Sequence, residues 1–380
     1  MKVVGLICEF NPLHLGHAKL LQTLRREFDA VVCVMSGNFV QRGECAAFGK
    51  FVRAQAAVRC GADLVLELPV SRVLQSAEGF ASGGVEVLRR LGCVDALAFG
   101  CESGDAKRIY DAAAAMDAPG YEDRLRDALS SGMSYAAAKQ QAMAENGDLL
   151  RAPNDILAVE YCRAVRRQNA GFQLIAVQRG GDYHAQTPDA ANPSAEAIRA
   201  CISRGEDWLP YIPEAAKALF SGAPRYAMAY GERAVLARLR AMDDTDWEAC
   251  AHGSEGLYRK VQKAVLTESS VEDILQAAKS KRYPMTRLNR LLMCAYLGIT
   301  AEDITRDVTD CRILACSEQG RPIIRAAKNG GDLTLRNPGE AMDEDALDRR
   351  CGDLFALFAQ PGNALKAGAE RDARIFFSKP

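Results

Sequence analysis

Five short apolar runs, separated by stretches of helical length, dominate the first 200 residues. Val3–Cys8, Ala30–Met35, Leu64–Leu68, Asp95–Phe99 and Phe172–Val177 are rich in Val, Leu and Ile, and nearly continuous rather than alternating. Such runs read as strands covered on both faces, the signature of a parallel sheet. Residues 17–28, 50–60, 77–91, 105–116, 134–146 and 155–169 read as helices. Parallel neighbours cannot be joined by a hairpin and need a crossover, usually a helix. The alternation therefore predicts an α/β fold with a doubly wound parallel sheet, Rossmann-like in layout. In such sheets ligands collect beyond the carboxyl ends of the strands. Asn11, Ser36, Pro69 and Gly100 each follow a strand end and are expected to converge on one crevice. The Ala-rich stretch 117–153 reads as a helical insertion covering that crevice.

Past about residue 205 the strand pattern gives way. Trp208–Phe220, Thr245–Thr267, Val271–Ser280 and Thr286–Tyr296 read as helices, and Cys311–Ala315 with Pro322–Ala326 as a short strand pair about Gly320. The expected division is residues 1–204 as a catalytic unit and 205–380 as a mainly helical one. The chain is 48% hydrophobic and 26% charged, as in ordinary globular proteins. It has no apolar run long enough to span a bilayer. Glu9 ends the first apolar stretch too early for a signal-peptide core, so a cytoplasmic location is expected. Thirteen scattered cysteines without a C-x-x-C pair read as small buried hydrophobes. A net charge of −1 gives no whole-molecule pull toward nucleic acid, so any such contact needs a local patch. The densest is Lys279, Lys281, Arg282, Arg287 and Arg290 with Tyr283 among them, a mix suited to phosphates and a stacked base. A solvated charged face is the plainer alternative.

Two of the four histidines share one loop, His14-Leu15-Gly16-His17, directly after the first strand. The imidazoles can reach phosphate oxygens, and Gly16 lets backbone approach a ligand. The following helix aims its N-terminal N–H groups and positive dipole end at the same spot. This suits a nucleoside triphosphate. A zinc pair is disfavoured, because zinc wants three or four ligands and His184 and His252 stand alone; no metal site is expected. Asn11 can donate to the same phosphates or serve as a turn residue before Pro12. Ser194 has the form of a helix N-cap, with Arg199 a turn and a half beyond.

The segment Glu9-Phe10-Asn11-Pro12-Leu13-His14-Leu15-Gly16-His17 resembles the HxGH loop of the nucleotidyltransferase superfamily. Val34–Glu44 (VMSGNFVQRGE), Ala62–Pro69 (ADLVLELP) and Phe99–Asp105 (FGCESGD) are similar to the bacterial tRNA(Met) cytidine acetate ligase family. Pro153–Leu157, Gln178-Arg179-Gly180, Tyr183-His184, Ser194–Arg199 and Lys281–Pro284 extend the likeness. A Lys-Met-Ser-Lys-Ser loop is absent, which argues against an aminoacyl-tRNA synthetase.

The resemblance implies a ligase with two half-reactions. Acetate attacks the α-phosphate of ATP, with Mg2+ accompanying the nucleotide, and the acetyl group passes to the wobble cytidine of elongator tRNA(Met). It implies catalytic roles for His14 and His17. It implies an ATP site of Ile7, Glu9, Phe10, Asn11, Pro12, His14, Gly16, His17, Leu20, Gly100, Asn154, Arg179, Gly180, Ser194 and Arg199. Gly100 would make room for adenine or ribose, or simply end a strand; Asn154 would bind ATP or cap a helix. Gln41, Arg42, Lys50 and Arg53 would face acetate or phosphate, although a solvated helix face also explains the last two. The basic cluster at Lys279–Arg290 would bind tRNA. The residues alone support nucleotidyl transfer. An adenylyltransferase, a citrate-lyase-ligase-like acetate ligase with another acceptor, and an ATP-responsive RNA-binding module stay open on them.

Overall fold

The computed structural model describes residues 1–179, 193–280, 283–340, 345–363 and 366–378. Its strands are β1 (Val3–Cys8), β2 (Ala30–Ser36), β3 (Phe39–Val40), β4 (Glu44–Cys45), β5 (Leu64–Leu68), β6 (Ala96–Cys101), β7 (Gln173–Gln178), β8 (Asp310–Cys316), β9 (Thr334–Arg336) and β10 (Phe376–Phe377). The main sheet runs β10-β8-β5-β2-β1-β6-β7, with β9 beside β8. β5, β2, β1, β6 and β7 are mutually parallel. All seven residues of β2 are buried, because helices cover both faces. Val32 and Val34 pack on one side, and Val31, Cys33 and Met35 on the other.

This order has a consequence for function. β1 lies between β2 and β6, so the chain winds outward from β1 in both directions. The carboxyl end of β1 is therefore the topological switch point, where a crevice opens between diverging crossovers. Residues 9–14 occupy that point.

Three expectations change. Residues 322–326 are helical, within Gly320–Gly330. Ile323 and Ala327 bury one helical face at i, i+4, and Pro322 sits in the first turn, where a missing N–H is tolerated. β8 does not pair with that stretch; it joins β5 antiparallel. The sheet thus draws strands from both sides of residue 204. Second, Thr245–Thr267 divides into Asp244–Ala249 and Leu257–Thr267, around left-handed residues His252, Glu255 and Gly256. Third, a helix over Met228–Ala241 appears where none was expected. No helix of the described residues is long and apolar enough to cross a membrane.

The β3–β4 hairpin touches the helical region directly. A Cβ on Gly43 would lie 2.5 Å from the backbone of Asn289 and Arg290. The hairpin turn therefore rests on the helix Met285–Leu297 and brings it to the sheet's carboxyl edge.

Candidate active site

Beyond the carboxyl ends of β1 and β6 lies a cavity of about 540 Å³. Its wall begins where β1 ends. Phe10 has φ +46°, an uncommon conformation for a bulky residue, and is buried. Its ring meets His17 edge-on, with centroids 5.0 Å apart. His14 is the N-cap of the helix Leu15–Arg25: Nδ1 accepts the Gly16 N–H at 3.1 Å. In return the His14 N–H donates to His17 Nδ1 at 3.4 Å. The two rings stack with centroids 3.7 Å apart. Gly16 leaves room for the ring, since a Cβ would come 3.0 Å from His14 Cε1.

Both imidazoles are neutral. Burial, aided by the positive charge of Arg179, pulls His14 down to about 3. Burial, His14 and Arg179 hold His17 well below its usual value. With both Nδ1 atoms accepting, the protons sit on Nε2. His14 Nε2 is buried and has no partner among the described residues. It is a donor held in reserve at a helix N-terminus.

The opposite wall is a relay. Arg179 follows β7 and donates to Asn154 Oδ1 at 3.0 Å. Asn154 Nδ2 donates to Glu102 Oε1 at 2.6 Å. Glu102 also accepts the Asp155 N–H at 3.0 Å, and Asp155 accepts the Glu102 N–H at 2.9 Å. This reciprocal clasp fixes the helix Pro153–Arg167 to the end of β6. Gly100 serves the relay, because a Cβ there would lie 2.8 Å from Arg179 Cδ. The space at Gly100 thus admits the stem of Arg179. Arg199 donates to the Asn11 carbonyl at 2.8 Å, while Asn11 Oδ1 accepts the Ala47 N–H at 2.8 Å. Phe80, Phe99, Ile156, Leu157 and Tyr161 make an apolar stretch of the same wall.

A neutral histidine pair at a helix start, ringed by arginines, is what in-line displacement at a phosphate needs. Residues 1–368 match the family model for HIGH nucleotidyl transferases. The chain belongs to that family. Within the HIGH nucleotidyl transferases it is 33% identical to the tRNA(Met) cytidine acetate ligase of Acetivibrio thermocellus over 364 residues, 88% of each chain. It is 30% identical to the ligase of that name from Syntrophomonas wolfei, over 97% of this chain and 98% of the relative. The crystal structure of apo Thermotoga maritima TmcAL superposes with a TM-score of 0.90 at 26% identity, covering all of both chains. The form of that protein bound with alpha-thio ATP gives 0.89 at 27%, again over both whole chains.

In this nucleotidyl transferase, Ile7, Glu9, Phe10, Asn11, His14, Gly16, His17, Leu20, Gly100, Asn154, Arg179 and Arg199 line the one cavity. Pro12 does not line it, and Ser194 sits just behind it with Oγ accepting the Ala197 N–H at 3.1 Å, flanked by Pro193 and Ala195 on the wall. Gly180 lies outside the described residues. Gln41 and Arg42 face the cavity; Ser36 and Pro69 do not. None of residues 117–152 lines it either. Tyr121–Ser130 and Tyr135–Ala142 instead bury Tyr121, Leu125, Ala128 and Ala138 in the core shared with the helix Pro153–Arg167. The insertion is a flank rather than a cover.

Lys50 and Arg53 are corrected. Neither reaches the cavity. Arg53 is fully buried and donates to the carbonyls of Phe48, Glu9, Ser36 and Gly37. Lys50 is buried against Glu67 at 2.7 Å and Glu370 at 2.5 Å, and Arg312 joins the same carboxylates. Both cations are internal pins whose charge is spent on the fold.

The basic cluster also divides. Lys279 is exposed. Arg287 pairs with Glu255 at 3.6 Å and lies over the Tyr283 ring. Tyr283 is buried, with its hydroxyl on the Glu255 carbonyl at 3.1 Å, so it is not a free stacking platform. Arg290 is only 7% exposed and lines the cavity with Thr286. Lys281 and Arg282 lie outside the described residues. Sequence reasoning missed Glu102 as the clasp, although it stands inside the FGCESGD motif. It also missed Thr286 and Arg290 as cavity wall, although they sit four residues apart on one helical face.

Proposed function

We propose that this enzyme joins acetate to ATP and transfers the acetyl group to the wobble cytidine of elongator tRNA(Met), leaving N4-acetylcytidine. The observation that carries the first step is the buried, unpartnered Nε2 of His14 at the start of the first helix. A carboxylate oxygen of acetate attacks the α-phosphorus and the bond to pyrophosphate breaks. Negative charge grows on the α-phosphoryl oxygens, where neutral imidazole N–H groups and the helix N-terminus stabilise it. Arg199, Arg179 and Arg42 neutralise the leaving pyrophosphate. Mg2+ enters as the counterion of ATP. Among the described residues no cluster of three His, Cys, Asp or Glu is placed to hold an ion without the nucleotide.

In the second step the exocyclic amine of cytidine attacks the acetyl carbonyl. The new C–N bond replaces the C–O bond to AMP, and the nitrogen loses one proton. The names of the relatives support acetate, cytidine and tRNA(Met) as substrates. The apolar wall of Phe80, Phe99 and Tyr161 suits a methyl group and a flat base. The exposed Lys279 and the half-buried Arg287, with Lys281 and Arg282 between them in sequence, supply cations for tRNA phosphates.

The test is acetate labelled with oxygen-18. Acyl transfer through an adenylate leaves one labelled oxygen in AMP, together with acetate-dependent pyrophosphate release. Unlabelled AMP, or pyrophosphate release indifferent to acetate, refutes the reading.

A further inference from the structure

We propose that Arg290 is a phosphate-binding residue of the cleft, supplied by the helical segment rather than by the sheet. The proposal rests on the reading above for the identity of the two phosphate-bearing substrates. Arg290 belongs to the helix Met285–Leu297, and the β3–β4 turn at Gly43 lies against its backbone. The residue is buried by the protein around it and still lines the cavity. Among the described residues it has no hydrogen-bond or ion-pair partner, and its Nε is buried and unsatisfied.

The other cleft arginines differ. Arg179 holds Asn154, Arg199 holds the Asn11 carbonyl, and Arg42 lies 3.9 Å from Glu196. Buried arginines elsewhere are also engaged: Arg53 by four carbonyls and Arg312 by Glu67 and Glu370. Arg290 alone among these lines the cavity with no hydrogen-bond partner among the described residues. Burial lowers its pKa to about 10, which leaves it charged at neutral pH, and the nearby Arg287 adds to the repulsion. An unpaired buried charge weakens a fold unless a ligand completes it. The guanidinium fork matches two oxygens of a phosphate. The sources are the ATP tail and the tRNA backbone beside the target nucleotide.

Arg290→Met and Arg290→Lys distinguish them. Thermal melting should show Arg290→Met as stable as the parent or more so, because a buried unpaired charge has gone. Calorimetry with ATP and tRNA acetylation across a salt titration then read the ligand. A loss of about 10–100-fold in ATP affinity, in line with one charged hydrogen bond, assigns the residue to ATP. Unchanged ATP affinity with a raised KM for tRNA and a salt slope shallower by about one assigns it to a tRNA phosphate. Arg290→Lys keeps the charge and should retain part of whichever function is lost. The proposal is overturned if Arg290→Met lowers the melting temperature and leaves both affinities intact, or if the KM for acetate alone rises. If the parent itself releases no pyrophosphate with acetate, the proposed function fails, whereas the ATP calorimetry still reads Arg290.

Discussion

His14 performs two tasks that one substitution can separate. It caps the first helix through Nδ1, and on the cavity wall its Nε2 is buried without a partner among the described residues. In His14→Asn the amide oxygen can still accept the Gly16 N–H, and Asn is among the best capping residues. What it cannot do is extend a donor as far as Nε2. Loss of the ring's stacking on His17 and of its packing should destabilise by about 1–2 kcal/mol. A domain with the usual reserve of roughly 5–15 kcal/mol stays folded after that loss. The missing donor acts only on the barrier, where removing one oxyanion donor costs about 2.7–4 kcal/mol, a factor of roughly 10²–10³ in turnover. His14→Ala should lose turnover to the same degree and a further ~1 kcal/mol of stability with the cap. Acetate-dependent pyrophosphate release, paired with urea unfolding of both variants, makes the comparison. Parental turnover in His14→Asn would show that Nε2 does not touch the reacting phosphate.

Further outcomes follow from the same geometry. The share of stability held by the buried neutral histidines should be fully present above about pH 6.5 and fall as the pH drops, because unfolded imidazoles bind protons there. Folded His14 (about 3) refuses them, as does His252, which burial lowers to about 4 against the pull of the Leu74 carbonyl. Adenylation rates should show no limb near 6.5, and a His252→Gln variant whose melting temperature falls between pH 7 and 5 as steeply as the parent's would contradict this. Arg53→Met should destabilise the protein by more than about 3 kcal/mol, since four buried carbonyls lose their donor; a variant of parental stability with weakened acetate binding would restore the sequence-based expectation. Gly100→Ala should displace Arg179 and weaken ATP binding by about tenfold without unfolding, since a bidentate or charge-assisted hydrogen bond carries at least that much; calorimetry showing parental affinity would detach Arg179 from ATP. Replacing Lys279, Lys281, Arg282 and Arg287 by Ala should flatten the salt dependence of tRNA binding by roughly 0.7–0.9 for each phosphate that is no longer neutralised, with pyrophosphate release kept; an unchanged slope would place the RNA surface elsewhere.

The parts of the fold that were legible are those written in local pattern. β1 and β5 fall at their expected limits, Val3–Cys8 and Leu64–Leu68, because both faces of each are covered and the apolar run is unbroken. The histidine loop was legible because strand, turn, glycine and helix start follow each other in sequence. Charged residues misled where their partners are distant. Arg312 sits inside β8 and is 1% exposed, and its carboxylates are 245 residues before and 58 after it. Nothing near Arg312 in sequence announces them, so β8 did not read as a strand of the main sheet. Lys50 and Arg53 likewise resemble helix-surface cations until the carbonyls and carboxylates around them are placed. The helix Met228–Ala241 did carry a signal, with Gly231, Val235 and Leu239 at four-residue spacing, but Gly at the packing position weakened it.

The central claim is that one cleft makes acetyl-adenylate and delivers the acetyl group to a cytidine of tRNA(Met). Nucleoside mass spectrometry of unmodified elongator tRNA(Met), after incubation with this protein, ATP and acetate, tests it directly. The account predicts one cytidine heavier by one acetyl group, dependent on both ATP and acetate and absent with His14→Asn. Unmodified tRNA from a folded, ATP-binding protein, or acetylation that persists without ATP, would contradict it.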